Sequence, residues 1–293
     1  MSCALFEASV VTRLLLNSLA GHGGARRLTE ILKAYPDLEL IEPTGPEAVY
    51  REALRAVEDG DERLLVAGGD GTLHHAIRGL AGSDCALGIL PLGSGNDFAR
   101  ALGVPVDLRS ALARALQATP RRVDLGRVDG KPFAGIAGIG FDGEAARCAR
   151  ERVRIVRGRW IYPYAVARTL LTFRPPHVSI ASDDGNYAGR VMLVALANSP
   201  FYGGGMLMAP RAELDDGQLD LVVVEQVSRL RFLALFPRVY RGAHVGLAQV
   251  RTFRLRQATV HADRELTFFA DGEPLAPCAG SRIDVWPAAL SVV

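Results

Sequence analysis

The first 120 residues alternate short apolar runs with amphipathic segments, and this alternation restricts the possible folds more than any other feature. Each of the four apolar runs precedes a segment with helical periodicity, and the runs cover residues 10–17, 38–44, 63–69 and 85–93. Repeated strand–helix units of this length predict a parallel sheet covered by helices on both faces. We therefore expect an α/β domain over residues 1–121.

From residue 122 the pattern changes to short β-type runs separated by turn residues. Such runs predict a mainly antiparallel β domain, which we assign to residues 122–280. Three helical stretches interrupt it, at residues 142–153, 160–173 and 228–241. The last segment, 281–293, could return to either domain. The expected fold class is therefore α/β followed by a C-terminal, mainly antiparallel β domain.

Glycine-rich joints follow three of the predicted strands, at the sheet edge where α/β folds bind ligands. They read NSLAGHGG (17–24), GGDGT (68–72) and PLGSGND (91–97). Glycine at a helix N-terminus lets backbone N–H groups approach an anion closely. The second joint can therefore hold phosphate oxygens through Gly69, Gly71 and Thr72. A lysine-containing P-loop is excluded, because the only two lysines, Lys33 and Lys131, follow no such motif.

Carboxylates stand among these glycines. Asp70 would repel phosphate unless a divalent cation lay between them, which makes it a candidate Mg²⁺ contact. Alternatively, Asp70 is an ordinary N-cap residue beside tight-turn glycines. The third joint offers Ser94, Asn96 and Asp97, and Asp97 could also be an N-cap. Two such joints at adjacent strand ends would border one crevice, which favours a binding role.

The pairing of GGDGT with LPLGSGND (90–97) resembles the catalytic domain shared by diacylglycerol kinases, sphingosine kinases and bacterial lipid kinases. The resemblance continues through GIGFDGEAA (138–146), the segment 197–221 and DGEP (271–274), in the family's order. It implies a two-domain ATP-dependent lipid kinase with the nucleotide at the interdomain cleft. It also implies an N-terminal domain like that of NAD kinases and phosphofructokinases, and a C-terminal β-sandwich.

The resemblance also implies roles for individual residues. Asp70 and Asp97 would manage Mg²⁺ and the transferring phosphate, and Glu273 would take the proton of the lipid hydroxyl. A structural metal would lie near Glu213, Asp216 and Gln218, where Glu213 and Gln218 could bind it through their backbone carbonyls. The residues implied for the ATP site are Asn17, Ser18, Gly21, Thr44, Gly68, Gly69, Asp70, Gly71, Thr72, Ser94 and Asn96. From the residues alone, DGEP could instead be a solvated hairpin turn, and the LDDG of 214–217 a plain surface turn.

Three positions depart from the family pattern. Ser18 follows Asn17 where the family usually has proline, and His75 stands where a glutamate is common. The histidine could alter how the metal or the helix end is held, or it could face solvent. Ser94 replaces the usual threonine and keeps the hydroxyl.

Two segments, 149–176 and 227–242, combine arginines with aromatic residues, which is typical of helices that lie on a membrane surface. We expect Arg157, Arg159 and Trp160 to contribute to binding anionic vesicles. The alternative is that both helices pack on the β domain and their arginines are solvated. No run of 18 apolar residues occurs, so the expectation is a cytoplasmic protein with reversible peripheral membrane contact.

Composition excludes some classes of function. The net charge of +2 gives no reason to expect a nucleic-acid partner. The four cysteines have no CxxC or metal-ligand spacing and are expected to be free thiols in a reducing compartment. The family resemblance makes a homodimer reasonable.

The leading functional hypothesis is a kinase that transfers the γ-phosphate of ATP to a lipid hydroxyl, with a diacylglycerol-like acceptor. One alternative is a kinase of a soluble acceptor, such as NAD or a sugar. The other is an inactive regulator that binds a lipid or a nucleotide. Sphingoid bases, ceramide, phosphatidylglycerol and polyprenols are also compatible acceptors.

Overall fold

A computed structural model describes residues 12–20, 23–151, 161–275 and 277–293. Within it the chain divides into two compact units. The first unit contains the residues up to 93, together with 104–121 and 291–293. The second contains 94–103 and 122–290.

The first unit is built on a parallel sheet. Its strands are β1 (Thr12–Leu16), β2 (Leu38–Ile41), β3 (Arg63–Gly68) and β4 (Ala86–Pro91). They lie in the order β2–β1–β3–β4, all pairs parallel, and Val292 at the chain's end pairs in parallel with Leu87 of β4. The helices of this unit are α1 (Gly24–Leu32), α2 (Pro46–Glu58), α3 (Asp70–Leu80) and α5 (Leu108–Gln117). This arrangement confirms the predicted α/β class.

Burial in the first unit explains its sequence pattern. All six residues of β4, and all of β3 except Arg63, are buried, as expected for strands covered on both faces. Helices α2 and α3 pack closely at Gly79, where a Cβ atom would lie 2.6 Å from the Cβ of Ala53. The core of the unit includes Leu14, Leu28 and Leu65, drawn from the sheet and from α1.

The second unit is mainly antiparallel. Its strands are β5 (Arg121–Val128), β6 (Lys131–Phe133), β7 (Ile136–Gly140), β8 (His177–Ser182), β9 (Asn186–Ala197), β10 (Phe201–Tyr202), β11 (Met206–Leu207), β12 (Leu219–Glu225), β13 (Val250–Leu255), β14 (Gln257–Leu266), β15 (Phe269–Ala270), β16 (Glu273–Pro274) and β17 (Cys278–Val292). Its helices are α4 (Asp97–Ala101), α6 (Phe141–Glu151), α7 (Ile161–Thr172) and α8 (Arg229–Val239). Strand β5 begins, and β17 ends, in the first unit.

Strand β9 joins the two layers of this unit. Its first half, residues 186–190, pairs with β8, whereas residues 191–197 pair with β12 and 193–197 with β7. The core between the layers contains β-branched and leucine side chains from both, among them Val178, Val194, Leu221 and Val260. This packing of two antiparallel layers is a β-sandwich.

Residues 94–103 belong to the second unit, whereas the sequence-based division placed them in the first domain. They group with the second unit because α4 contacts the 201–205 turn: the Asp97 carboxylate accepts a backbone hydrogen bond from Gly204, and the Arg100 guanidinium lies over the Phe201 ring. Within the described residues, no helix is both long enough and apolar enough to cross a bilayer.

Candidate active site

The joint between β3 and α3 presents backbone rather than side chains. Helix α3 begins at Asp70, and Gly69 before it is extended, with φ −101° and ψ −174°. A Cβ atom at Gly68 would lie 2.6 Å from the Cβ of Thr72, so only glycine fits there. The first amides of a helix have no partner within the helix and favour negative charge. Gly71 and Thr72 lie in this first turn, beside the carboxylate of Asp70.

The three glycine-rich joints meet within the first unit. The Asn17 side chain after β1 donates a hydrogen bond to the Thr72 hydroxyl at 2.9 Å. The joint after β4 also lies close to the joint between β3 and α3, since a Cβ atom at Gly69 would be 3.1 Å from the Cα of Gly93. The structure therefore brings Asn17, Gly68, Gly69 and Thr72 together, as their positions at adjacent strand ends predicted.

The other predicted nucleotide contacts are more scattered. Ser18 and Thr44 are exposed in the loops that follow β1 and β2. Ser94 is exposed and Asn96 half-buried, and both belong to the second unit. Asn96 has a positive φ of 52° immediately before α4. Gly21 lies outside the described residues.

Asp97 contacts a glycine loop that sequence reasoning did not connect with it. Its Oδ2 accepts a hydrogen bond from the backbone N–H of Gly204 at 2.7 Å, and its Oδ1 accepts one from Arg100 at 3.0 Å. A side chain at Gly205 would meet the Arg100 guanidinium, with Cβ 2.8 Å from Nη1. One consequence of the Asp97 carboxylate is therefore to hold the 203–205 loop against α4.

Glu273 lies directly after a two-residue hairpin turn between β15 and β16. The turn residues Asp271 and Gly272 have φ values of 50° and 85°, the positive pair that a type I′ turn requires. Asp271 accepts backbone hydrogen bonds from Ala134 at 2.9 Å and from Gly135 at 2.7 Å. The hairpin suggested by the Asp-Gly dipeptide thus exists, and its aspartate anchors it to the loop before β7. Glu273 itself is half-buried.

Sequence reasoning missed a buried polar network around that same loop. The fully buried Asn198 side chain donates to the carbonyls of Asp124 and Ala134, at 2.8 and 2.9 Å. The Asp124 carboxylate in turn accepts from the N–H groups of Gly217 and Ala288, each at 2.7 Å. The only sequence signal was an aspartate and an asparagine inside otherwise apolar strand segments. The network fixes the loop that holds Asp271.

An apolar cavity beside α8 was also missed. Its lining is almost entirely apolar, with side chains such as Leu193, Met208 and Phe232, but it also includes Asp142 and His244. The cavity volume is about 50 Å³. Helix α8, which forms one wall, has no buried residue, and its Leu230 is 81 % exposed. The cavity therefore lies under a helix that packs only lightly on the unit.

The two polar residues of this cavity are incompletely paired. Asp142 Oδ2 accepts a hydrogen bond from the Tyr202 hydroxyl at 2.6 Å, whereas no hydrogen bond reaches its buried Oδ1 within the described residues. Burial raises the pKa of Asp142, and the Tyr202 hydroxyl and adjacent amides offset part of this effect. His244 Nε2 lies 3.0 Å from the Met208 carbonyl, which requires Nε2 to carry the proton. Burial lowers the pKa of His244.

In the segment 213–218, where a structural metal was predicted, the positively charged side chain of Arg254 already pairs with an aspartate. The Asp216 carboxylate forms an ion pair with Arg254 through Oδ2 and accepts the N–H of Gln218 at 2.9 Å through Oδ1. Asp220 Oδ2 lies 3.8 Å from Nε of the same arginine. Glu213 is exposed, and the described part of the chain contains no cluster of three metal-ligating side chains. A cation bound to the Asp216 carboxylate would have to displace the guanidinium, so this carboxylate does not fit a metal in the present arrangement.

His75, which stands where the family commonly has a glutamate, lies on α3 and is not fully exposed to solvent. His75 is half-buried, its Nδ1 is 3.5 Å from Arg78, and its ring makes an edge-to-face contact with His74. Arg78 lies over the ring of Tyr50 on α2.

The expected vesicle-binding residues Arg157, Arg159 and Trp160 lie outside the described residues. Of the four cysteines, Cys85, Cys148 and Cys278 are free thiols, and Cys3 lies outside the described residues.

Two family models match the chain, one over each part. The model described as "Diacylglycerol kinase catalytic domain" matches residues 12–128. The model described as "YegS C-terminal NAD kinase beta sandwich-like domain" matches residues 135–293. Together they cover both units that carry the residues described above.

Similar proteins match nearly the whole length. A protein named "Diacylglycerol kinase" from Mycobacterium tuberculosis is 34 % identical, covering 95 % of this chain and 93 % of its own. Another of that name from Bacillus subtilis is 27 % identical and covers 89 % of both. A crystal structure titled a diacylglycerol kinase from Bacillus anthracis has a TM-score of 0.74 at 21 % identity, covering 97 % and 96 % of the two chains, which shows the shared fold.

Proposed function

Because the chain belongs to the family that joins a diacylglycerol kinase catalytic domain to a YegS-type β-sandwich, a family of lipid kinases, we propose that it transfers the γ-phosphate of ATP to the hydroxyl of a diacylglycerol-like lipid. The observation that carries the proposal is the β3–α3 joint. Its amides, its helix N-terminus and the Asn17–Thr72 hydrogen bond form a site for phosphate oxygens that needs no lysine.

In this proposal the backbone around Gly69 and Gly71 binds the phosphates of MgATP. Phosphoryl transfer depends mainly on position and on neutralisation of charge, so rigid amides suit it. Asp70 faces the cation that accompanies the nucleotide. Asp97, which holds the 203–205 glycine loop, is the second carboxylate that we assign to the transferring phosphate.

Glu273 is the proposed base. Its carboxylate accepts the proton of the lipid hydroxyl as the new oxygen–phosphorus bond forms and the bond to the β-phosphate oxygen breaks, which releases ADP. The anchored turn supports this role, because Asp271 fixes the backbone two residues before Glu273. The residue next to it, Pro274, restricts the chain further.

The apolar cavity beside α8 supports a lipid acceptor. A hydrocarbon chain gains from leaving water for such a lining, at about 0.8 kcal/mol per buried CH₂ group. The free volume of about 50 Å³ is small, so a chain must displace side chains of α8 to enter. The light packing of that helix permits such a movement.

The test is a transfer assay with γ-labelled ATP, Mg²⁺ and mixed micelles that contain one acceptor lipid at a time. We expect label in the organic phase with diacylglycerol, and a loss of at least about 100-fold in kcat for Glu273→Gln. The matched control is Glu265→Gln, at an exposed glutamate of β14. A labelled product other than ATP and phosphate, formed only when NAD or a sugar replaces the lipid, would point to a soluble acceptor. No transfer to any acceptor would leave only a binding protein.

A further inference from the structure

The apolar cavity beside α8 contains two buried polar atoms that have no hydrogen-bond partner among the described residues. They are Oδ1 of Asp142 and Nδ1 of His244. Both residues line the cavity, and the other residues that line it are apolar apart from Tyr202. His244 is only 2 % exposed. Because a buried polar group without a partner costs stability, two such atoms in one cavity point to a ligand that carries a polar group.

The hydrogen bonds that these two residues already make define what their remaining atoms can bind. His244 Nε2 donates to the Met208 carbonyl at 3.0 Å, so Nδ1 of the neutral ring can only accept. Asp142 Oδ2 accepts the Tyr202 hydroxyl at 2.6 Å, so Oδ1 is the atom that carries the proton of the neutral carboxyl. Burial raises the pKa of Asp142 and lowers the pKa of His244, and both effects favour the neutral forms. The pair then offers one donor and one acceptor.

A hydroxyl group matches this pair. Its hydrogen can be donated to His244 Nδ1 while its oxygen accepts the proton of Asp142. A charged group matches it poorly, because an apolar lining with side chains such as Leu193, Met208 and Phe232 cannot replace the water around a charge. The volume of about 50 Å³ exceeds the roughly 10–15 Å³ that one water molecule needs, so a hydroxyl fits together with its carbon atom.

Helix α8 determines how an alkyl chain attached to that hydroxyl enters. The helix contributes Phe232, Leu235, Phe236 and Val239 to the lining, yet none of its residues is buried. A whole chain exceeds the volume of the cavity, so α8 must move outward, and its apolar side chains then cover the chain. Pro237, inside the last turns, donates no backbone hydrogen bond to the helix. The wall that must move is therefore the weakly held one.

We propose that this cavity binds an alkyl chain that bears a hydroxyl group, and that the hydroxyl bridges Asp142 Oδ1 and His244 Nδ1. We assign the chain to the acceptor lipid, and this assignment rests on the proposed function. The bridging hydroxyl is a second one, distinct from the hydroxyl that is phosphorylated beside Glu273. A diacylglycerol whose acyl chain bears a hydroxyl would thus bind more tightly than a plain one. Binding of the chain needs neither ATP nor transfer, so it can be tested separately.

The first test compares two isomeric probes, 1-heptanol and hexyl methyl ether, by calorimetry without nucleotide. The ether oxygen accepts a hydrogen bond but cannot donate one, so it leaves His244 Nδ1 without a partner. We expect wild-type protein to bind the alcohol at least about tenfold more tightly than the ether. Burial of apolar surface alone would favour the ether, which is the more hydrophobic isomer. Equal affinities, or a preference for the ether, would overturn the proposal.

His244→Gln tests the acceptor atom. The glutamine amide can still donate to the Met208 carbonyl but has no counterpart of Nδ1, so the preference for the alcohol should fall below about twofold. The matched control is His177→Gln, at an exposed position of β8, which should keep the wild-type preference. A full preference for the alcohol in folded His244→Gln would overturn the role of His244.

Leu235→Phe tests the place of binding without changing either polar residue. The larger side chain on the cavity wall should weaken both probes about fivefold or more and leave the ratio of their affinities unchanged. The matched control, Leu233→Phe, adds the same ring at a position of α8 that is 46 % exposed and outside the lining, and should change neither affinity. Equal effects of the two phenylalanines would place the binding outside the cavity and overturn the proposal.

A competition experiment tests the assignment of the chain to the acceptor. With dihexanoylglycerol in solution as acceptor, 1-heptanol should raise its KM and leave kcat unchanged in wild type, with little effect in His244→Gln. If the alcohol bound without raising KM, the chain would belong to a separate ligand, and the assignment to the acceptor would be wrong. Absence of transfer to any lipid would contradict the proposed function, whereas the calorimetric comparison tests the hydroxyl site independently of transfer.

Discussion

Asp271 accepts the backbone N–H of Gly135 at 2.7 Å, across 136 residues of sequence, and so fixes the hairpin turn that precedes Glu273. Gly135 is required for this contact, because a Cβ atom there would lie 2.8 Å from Asp271 Oδ1. The proposed base therefore depends on an aspartate that need not touch substrate.

Replacing Asp271 should impair catalysis because the turn that positions Glu273 loses its anchor. Asp271→Ala removes two hydrogen bonds to a carboxylate, a loss of about 1.5–3 kcal/mol each in such contacts. We expect kcat to fall at least about tenfold while KM for ATP changes little, because the β3–α3 joint that we propose to bind the phosphates is in the other unit. Steady-state kinetics with the folded variant measures both values.

The chain supplies a matched control in a second Asp-Gly turn. Asp129 and Gly130, between β5 and β6, have φ values of 50° and 78°, and Asp129 accepts the N–H of Arg282 at 2.8 Å. Asp129→Ala should lose some unfolding free energy but keep wild-type kcat. If both alanine variants lowered kcat equally, the effect of Asp271 would be general destabilisation.

The close contact between the joint after β3 and the joint after β4 should affect the affinity for ATP. Gly69→Ala puts a Cβ atom 3.1 Å from the Cα of Gly93 and forces the two joints slightly apart. We expect the Kd for ATP, measured by calorimetry, to rise about fivefold or more because the amides that we propose to bind phosphate shift. Gly246→Ala, at an uncrowded position with no positive φ, should leave the Kd unchanged. Unchanged affinity in Gly69→Ala would remove this joint from phosphate binding.

The Asp142 carboxylate, whose Oδ1 is buried, should make stability depend on pH. Because its folded pKa is raised above the unfolded value of about 3.9, its contribution to stability is full below that pH and is lost as the pH rises through the folded pKa. Asp142→Asn does not titrate. We therefore expect the unfolding free energy of the variant relative to wild type to increase from pH 5 to pH 8, measured by urea unfolding.

Tyr202→Phe provides the opposite check on Asp142. It removes the hydrogen bond that offsets the burial effect on the pKa, so its loss of stability should be greater at pH 8 than at pH 5. A pH-independent difference for both variants would contradict the raised pKa.

Because Arg254 pairs with Asp216, the stability that the 213–218 segment contributes should not depend on divalent cations. We expect the wild-type melting temperature to be insensitive to Mg²⁺ or EDTA in the absence of nucleotide, because the guanidinium already neutralises Asp216. Arg254→Met should lose about 1–2 kcal/mol, a value reduced for its partial exposure, and Mg²⁺ should restore part of it. A large drop of the wild-type melting temperature in EDTA would favour the structural metal instead.

The sequence predicted the features that depend on local pattern. The strand–helix alternation defined the parallel sheet, and helices expected at 142–153, 160–173 and 228–241 occur as α6, α7 and α8. Glycine joints at neighbouring strand ends placed Asn17, Gly69 and Thr72 together, because parallel strands end at one edge.

Contacts between distant segments could not be predicted in this way. No local signal shows that Asp97 would bind the backbone of Gly204, or that Arg254 would pair with Asp216. Asp142 stood in a recognised motif, but its surroundings, the Tyr202 hydroxyl and the apolar cavity beside α8, are set by tertiary packing.

The most direct measurement compares wild type and Asp70→Asn for transfer of γ-label from MgATP to diacylglycerol, with unfolding free energies determined in parallel. The account predicts organic-phase label from wild type and a loss of at least about 100-fold in the variant, with its stability retained. Wild-type turnover by Asp70→Asn would contradict it, because the carboxylate at the glycine joint would then have no part in phosphoryl transfer.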